Sequence, residues 1–164
     1  VFIALDAKLK VASLGGERVI DMEEFSKDYL EVALEPDEML TEIQVPIPPP
    51  HTGTAHEKLM VMQGDQGIVG AAVSITLNAG SGVCKNARIA ISNVDSIPLR
   101  AGDAERQLIG KVINDKLLDG ACHVASTGAN PPSDVHASEE YRREMIKVFV
   151  KRVTNRALER AKKG

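Results

Sequence analysis

With 164 residues, 43% hydrophobic and 26% charged, the chain has the composition of an ordinary globular protein, long enough for one core or a core plus a smaller fragment. No apolar run approaches the ~20 residues that span a bilayer, and no secretory signal pattern is present. The net charge of −3 hides an asymmetry, because residues 142–163 carry nine basic residues against Glu144 and Glu159, leaving about −10 for the remainder. With no tryptophan and only three Phe and two Tyr, the chain lacks stacking platforms for nucleic acid. The basic segment therefore reads as a solvated helix face or a subunit interface, with no nucleic-acid partner and no membrane span.

Residues 6–13 alternate apolar and polar, predicting a half-buried strand. Gly15 and Gly16 mark a turn, and Arg18, Val19 and Ile20 return as its partner. A loop through Phe25 and Tyr29 leads to a second alternating run, residues 38–45. Pro46, Pro48, Pro49 and Pro50 then enforce a rigid extended connection, the best candidate domain boundary. Residues 55–62 predict a strand and 64–67 a loop. Val73, Ile75 and Leu77 alternate with polar neighbours, as do Ala87, Ile89 and Ile91 with theirs. The Ala79-Gly80-Ser81-Gly82 turn between them predicts an antiparallel hairpin.

The final third reads as helix. Residues 101–109 end at Gly110, placed to cap a C-terminus. Asn114 is positioned to cap a second helix that carries Leu117, Leu118, Ala121 and Ala125 on one side. After the break at Pro131-Pro132, Ser138 is a candidate N-cap, followed by Glu139 and Glu140 where the helix dipole favours negative charge. The last helix repeats apolar residues at Ile146, Phe149, Val150, Val153 and Ala157. Arg142 falls near that apolar stripe, where it needs a buried ion pair or carbonyl partners. Strands first and helices last predict an α+β fold: antiparallel sheet followed by a helical C-terminal segment.

Chemistry is sparse. There is no phosphate-binding glycine loop, dinucleotide fingerprint or nucleophile elbow. Asp37 and Glu38 are adjacent and make a poor acid/base pair. Cys84 and Cys122 are too few for an iron–sulfur cluster, which takes about four ligands, and read as buried reduced thiols. His51, His56, His123 and His136 show no metal-ligand spacing.

Several ordered segments carry more information together. Pro98-Leu99-Arg100-Ala101, Ala104-Glu105 and Leu108-Ile109-Gly110-Lys111 follow the pattern P-x-R-A…A-E…L-x-G-K. Pro132-Ser133-Asp134 with Ala137-Ser138-Glu139-Glu140-Tyr141-Arg142-Arg143 is similar to P-x-S-D-x-R-A-S-x-E-Y-R-R. Leu34 to Leu40 and Ile43-Gln44-Val45-Pro46 follow L-x-P-x-E-x-L and I-x-[IV]-P. Lys58, Gly64-Asp65 and Ile68-Val69 resemble the loop Y-x-K-x-x-x-R-x-x-D-x-A-I-V. Across nearly the whole chain, the sequence thus resembles the C-terminal portion of the FAD-binding (medium) subunit of the molybdenum hydroxylases, the carbon monoxide, aldehyde and xanthine dehydrogenase family.

The resemblance implies a CO dehydrogenase flavoprotein C-terminal-like domain over residues 51–164, preceded by residues 1–50 as the tail of the second FAD-binding lobe. It places the start of the chain inside that lobe, without the glycine-rich segments that hold the FAD pyrophosphate, so FAD binding and activity require the N-terminal half of the subunit. The implied role is that of an oxidoreductase's flavoprotein subunit in the cytoplasm. Electrons pass from a molybdopterin subunit through an iron–sulfur subunit and FAD to an acceptor; the alternative is a non-catalytic docking module of the same complex. By position, the implied FAD contacts are Lys58, Leu40 and His56, with Asp65 and Gln66 in a loop near the isoalloxazine edge. Departures from the pattern alter this neighbourhood: His56 replaces a usual aromatic residue, and Met62 stands where arginine is common. Tyr141, Arg142 and Arg143 are implied to be structural.

Overall fold

A computed structural model describes residues 1–62, 64 and 67–164. Strands β1 (Lys8–Ser13) and β2 (Gly16–Asp21) form the expected hairpin, and β5 (Met39–Gln44) pairs antiparallel on the other side of β1. A bulge between Lys10 and Val11 shifts the β5 register, so that Val11 stands opposite Leu40. Between β2 and β5 the sequence predicted only loop. The structure instead holds a short helix α1 (Met22–Phe25) and a small ladder, β3 (Ser26–Asp28) with β4 (Glu31–Val32). These pieces are too short for periodicity to reveal, and they are set by tertiary bonds: Met22 N–H donates to Ala7 O (3.0 Å) and Ala33 N–H to Phe25 O (2.8 Å).

Asp37 and Glu38 lie in the turn before β5 rather than within the strand. The Glu38 carboxylate accepts Arg18 Nε (2.6 Å) and Nη2 (2.7 Å) together with the Glu35 amide (2.8 Å). Its hydrogen-bonding capacity is thus taken up in closing the turn.

Beyond the proline connection, β6 (Thr52–Leu59), β7 (Val69–Leu77), β8 (Cys84–Ser92) and β9 (Leu99–Arg100) form one antiparallel sheet in that order. Strand β6 starts and ends three residues earlier than the sequence suggested, because its register is set by eight pairs with β7 from Thr52↔Thr76 to Leu59↔Val69. Helix α4 (Glu139–Ala161) lies across β6 and β7, α2 (Gly102–Leu108) lies on β8, and α3 (Asp115–Thr127) packs between α2 and α4. The side chains between sheet and helices form one core, including Val73, Ile75, Ile89, Ile146, Val150 and Val153. At roughly 1.5–3 kcal/mol for each fully buried aliphatic side chain, this layer dominates the stability.

The caps follow the sequence. Asn114 Oδ1 accepts Leu117 N–H (2.9 Å) at the start of α3, and Ser138 Oγ accepts Tyr141 N–H (3.2 Å) at the start of α4. Gly110, at φ 79°, reverses the chain after α2 in the conformation that glycine adopts without a Cβ penalty. The alternation in β7 predicted one buried face, yet nearly the whole strand is buried. Ile3 and Ala4 from the chain start cover Ala72 and Ala90 on the opposite face. Two ion pairs tie the first 50 residues to the large sheet, Asp6 with Arg88 (2.6 Å) and Glu23 with Arg100 (3.0 Å).

Cys84 and Cys122 are buried free thiols. Burial pushes them up to about 11 and about 12, so both stay protonated and unreactive near neutral pH.

Candidate functional site

On β6 the side chains alternate between two faces. Gly53 and Ala55 turn to α4, as does Glu57, whose carboxylate binds Arg152 (2.6 Å) and Arg156 (2.7 Å). His56 and Lys58 therefore share the other face. Lys58 stands in register with Gly70 of β7, and Gly70 with Ser92 of β8. This row is built from small residues: a Cβ added at Gly70 would sit 2.5 Å from Ser92 Oγ, and beyond it Ala72 and Ala90 are covered by Ile3 and Ala4. His56, Gly70, Ala72, Ala90 and Ser92 line one shallow hollow. Desolvation first, and then the charge of Lys58, lowers the pKa of His56.

Leu40 is on β5, in the three-stranded sheet, and is 37% exposed. The structure brings Lys58 and His56 together on one face and keeps Leu40 on a separate sheet. Asp65 and Gln66 lie outside the described residues.

The end of the connection between β6 and β7 is held firmly. Ile68 N–H closes it on Leu59 O (2.8 Å), and Gly67 O accepts Asn93 Nδ2. Asn93 has φ 63°, a left-handed conformation that Asn tolerates better than most residues. Arg142, 3% exposed, donates to Ile68 O, to Asn93 O (3.1 Å) and to Asp134 Oδ2 (2.6 Å). The ion pair and carbonyl partners that its position near the apolar stripe demanded are thus both present. Gly67, Asn93, Asp134 and Arg142 border a cavity of about 690 Å³ that also meets Tyr29 and His136.

The motif residues downstream are accounted for by structure. Asp134 Oδ1 accepts the amides of His136 (2.9 Å) and Ala137 (3.0 Å), and Ser133 Oγ accepts Glu139 N–H (2.8 Å). The Pro-Ser-Asp…Ala-Ser-Glu-Glu-Tyr-Arg-Arg segment therefore builds the turn that feeds α4 and ends in the Arg142 clamp. Arg143 donates to Ser126 O and Ala129 O (both 2.9 Å). Glu105, 3% exposed, accepts Ile89 N–H (2.8 Å) and Arg100 (2.8 Å at Nη2). The other motif, from Pro98 to Glu105, thus fixes α2 and β9 onto β8. Sequence reasoning missed Gly67, Gly70 and Asn93. The only advance signal was glycine at both ends of the stretch leading into a strand, which does not say what approaches it.

These contacts make a prediction. The two backbone amides first, and then Arg142, hold Asp134 at about 2 against an ordinary 3.8, while Arg18 and the Glu35 amide hold Glu38 at about 2 against 4.5. Both are depressed on folding, so their stabilising effect is complete above the unfolded values and disappears as pH falls through them. The thermal midpoint is expected to stay level from neutral pH to about 5 and to fall between about 4.5 and 2. Glu38→Gln and Asp134→Asn should each flatten part of that fall; an unchanged acid limb in both would refute the assignment.

A family model described as CO dehydrogenase flavoprotein C-terminal domain matches residues 54–157, and one described as FAD binding domain in molybdopterin dehydrogenase matches residues 1–48. The chain is 35% identical over 162 residues to the 6-hydroxypseudooxynicotine dehydrogenase complex subunit alpha of Paenarthrobacter nicotinovorans, covering 99% of this chain and 54% of the relative. It is 35% identical over 158 residues to the carbon monoxide dehydrogenase medium chain of Afipia carboxidovorans, covering 96% and 54%. Among solved structures, reconstituted CO dehydrogenase from Oligotropha carboxidovorans superposes with a TM-score of 0.91 at 33% identity, over 97% of this chain and 55% of that one. Quinoline 2-oxidoreductase from Pseudomonas putida 86 does so with a TM-score of 0.87 at 31% identity, over 98% and 55%. The chain spans about half the length of the curated relatives it matches. With the antiparallel sheet, the covering helices and the motif segments each accounted for, the chain belongs to the family of FAD-binding flavoprotein subunits of the molybdenum-containing dehydrogenases.

Proposed function

We propose that this chain forms part of the FAD-binding electron-transfer subunit of a multi-subunit molybdenum-containing dehydrogenase, where it closes one side of the flavin site. The observation that carries the reading is the outer face of β6–β8, where Lys58 stands in register with Gly70, and Gly70 with Ser92, next to the part of that face that Ile3 and Ala4 cover at Ala72 and Ala90. That end of the face fits the edge of a flat, electron-rich ring: Gly70 and Ser92 carry no bulky side chain, and Lys58 beside them adds a cation. In this reading residues 51–164 form the domain that closes over the cofactor, and residues 1–50 belong to the lobe beside it. The segments that hold the pyrophosphate belong to the N-terminal half of the subunit, an iron–sulfur subunit and a molybdopterin subunit are the partners, and the complex is cytoplasmic.

When bound, the flavin supplies electron storage and transfer. This chain's residues supply position and charge. Lys58 places a positive charge where negative charge on the ring system or on a phosphate is stabilised, an effect strengthened by its partial burial. His56, held below its ordinary pKa, is neutral at pH 7 and adds a hydrogen-bonding edge without a second cation. The substrate is recognised by the molybdenum subunit and leaves no mark on these residues.

Lys58→Ala in the complete flavoprotein is expected to weaken FAD binding about tenfold, the equivalent of one charge-assisted hydrogen bond. Flavin fluorescence titration measures it. Unchanged affinity together with an unchanged flavin midpoint potential would remove Lys58 from the site and favour a docking module.

A further inference from the structure

We propose that Arg88 and Arg100 are positioning residues for the flavin site: through Asp6 and Glu23 they clamp residues 1–50 onto the outer face of β6–β8 at two points. The clamp sets how the sheet that carries Leu40 stands against the face that carries His56 and Lys58. The inference rests on the reading of that face as one side of the flavin site. Arg88 alternates on β8 with Ala87 and Ile89, which are buried in the helix-side core, so it projects from the outer face as Ala90 does. Arg100 on β9 stands opposite Ala90. Arg88 Nη2 meets Asp6 Oδ1 at 2.6 Å, and Arg100 Nη1 meets Glu23 Oε2 at 3.0 Å. These four side chains border one hollow of about 130 Å³ together with Ile3 and Met22. Asp21, which also borders it, is bound to Lys8 (2.8 Å) within its own sheet.

Little else orients the two parts. Among the described residues no strand ladder joins the three-stranded sheet to the four-stranded one, and the apolar cluster across the joint is Ile3 and Ala4 with Ala72 and Ala90, beside Met22. So small an apolar contact leaves relative motion as the default, and two separate ion pairs are what restrict rotation. Arg100 is itself held in place. Its Nε lies 3.1 Å from both carboxylate oxygens of Glu105 and its Nη2 2.8 Å from Oε2, while Glu105, 3% exposed, also accepts Ile89 N–H (2.8 Å). A planar guanidinium fixed along one edge has its other N–H groups already aimed, and Nη1 is the one that meets Glu23. Asp6, at φ 58°, closes the turn that lays Ile3 and Ala4 on the sheet, its N–H donating to Ile3 O (3.2 Å). A ligand that touches both parts binds with an apparent affinity proportional to the fraction of molecules in which they are aligned. The Asp6 and Glu23 side chains are 59% and 48% exposed, so the pairs add little to global stability and act on alignment.

The test uses Asp6→Asn and Glu23→Gln in the complete flavoprotein, read by FAD dissociation constant and thermal midpoint. Both changes keep the side-chain shape, asparagine tolerates the left-handed backbone at position 6, and neither uncovers the buried Glu105. Each is expected to raise the FAD dissociation constant about threefold, as the aligned fraction falls to about a third. The thermal midpoint should stay within about 2 °C of the parent. Arg88→Lys keeps the charge and should bind FAD as the parent does, whereas Arg88→Gln should match Asp6→Asn. Arg88→Gln combined with Asp6→Asn should be no worse than either alone, because the two side chains act as one unit. A thermal midpoint lowered by more than about 4 °C with FAD affinity unchanged would make the pairs structural and overturn the inference. So would silent Asp6→Asn and Glu23→Gln beside an effective Lys58→Ala, which leaves the flavin reading intact. A silent Lys58→Ala overturns both.

Discussion

Replacing Arg142 by methionine is expected to lower stability by about 3 kcal/mol, visible as a fall of about 10 °C in the thermal midpoint. The side chain is 4% exposed and serves three acceptors from three parts of the chain: Ile68 O at the start of β7, Asn93 O just after β8, and the Asp134 carboxylate before α4. Methionine keeps much of the volume, so the loss comes from unpaired acceptors and not from a cavity. Asp134 is 40% exposed and can rehydrate, which holds the effect toward the lower end of what removing one partner of a buried pair costs. The exposed Arg106–Asp103 pair is the internal control: Arg106→Ala should change stability by less than about 0.5 kcal/mol. A loss of less than about 1 kcal/mol for Arg142→Met would mean that water already satisfies these carbonyls.

A comparable loss, about 3 kcal/mol, is expected for Gly53→Ala. Here nothing polar is removed. The added Cβ would stand 1.9 Å from Ala157 O and 2.4 Å from Ala161 N, both backbone atoms of α4. A side chain could step aside, but the helix backbone can only move as a unit. It would have to lift from β6 and disturb the layer in which Phe149, Val150, Val153 and Ala157 are buried. Gly120→Ala provides the contrast, because its Cβ meets only Gln107 Oε1 at 3.4 Å within the body of α3. That change should be neutral or stabilising by up to about 1 kcal/mol, as helix propensity dictates. If Gly53→Ala is equally harmless, α4 does not approach β6 this closely.

Local rules carried the reading of the sequence a long way where the signal is contained in a few residues. Asn114 and Ser138 cap α3 and α4 as their spacing implied, and the glycine-containing turn at 79–82 joins β7 to β8. The three-and-four spacing from Ile146 to Ala157 marks the side of α4 that is buried. The motif segments carried the family, and the order of strands before helices carried the α+β fold.

What could not be read depends on distant partners. The burial of β7 on both faces needs Ile3 and Ala4, some 70 residues away in the chain, and α1 with its small ladder exists through bonds to Ala7 and Phe25. Of the candidate site, Lys58 and His56 could be placed on one strand face because strand side chains alternate. That Gly67 lies against the lysine stem, and that Asn93 and Arg142 fix Gly67 and Ile68, are facts of close approach, which a glycine in a sequence does not announce.

The cations of α4 illustrate the same limit. In sequence they form a surplus of seven over residues 142–163. In the fold Lys147, Lys151, Arg152 and Arg156 each meet a carboxylate, on Glu144, Asp119 and Glu57. That part of the helix face is therefore an ion-paired surface.

The central claim is that this chain completes a flavin site, and FAD titration by flavin fluorescence, with the chain alone and with the N-terminal half of the flavoprotein added, tests it most directly. Tight, stoichiometric quenching only when both are present, weakened about tenfold by Lys58→Ala, is the predicted result. No binding with both present would contradict the account and leave the chain as a docking module.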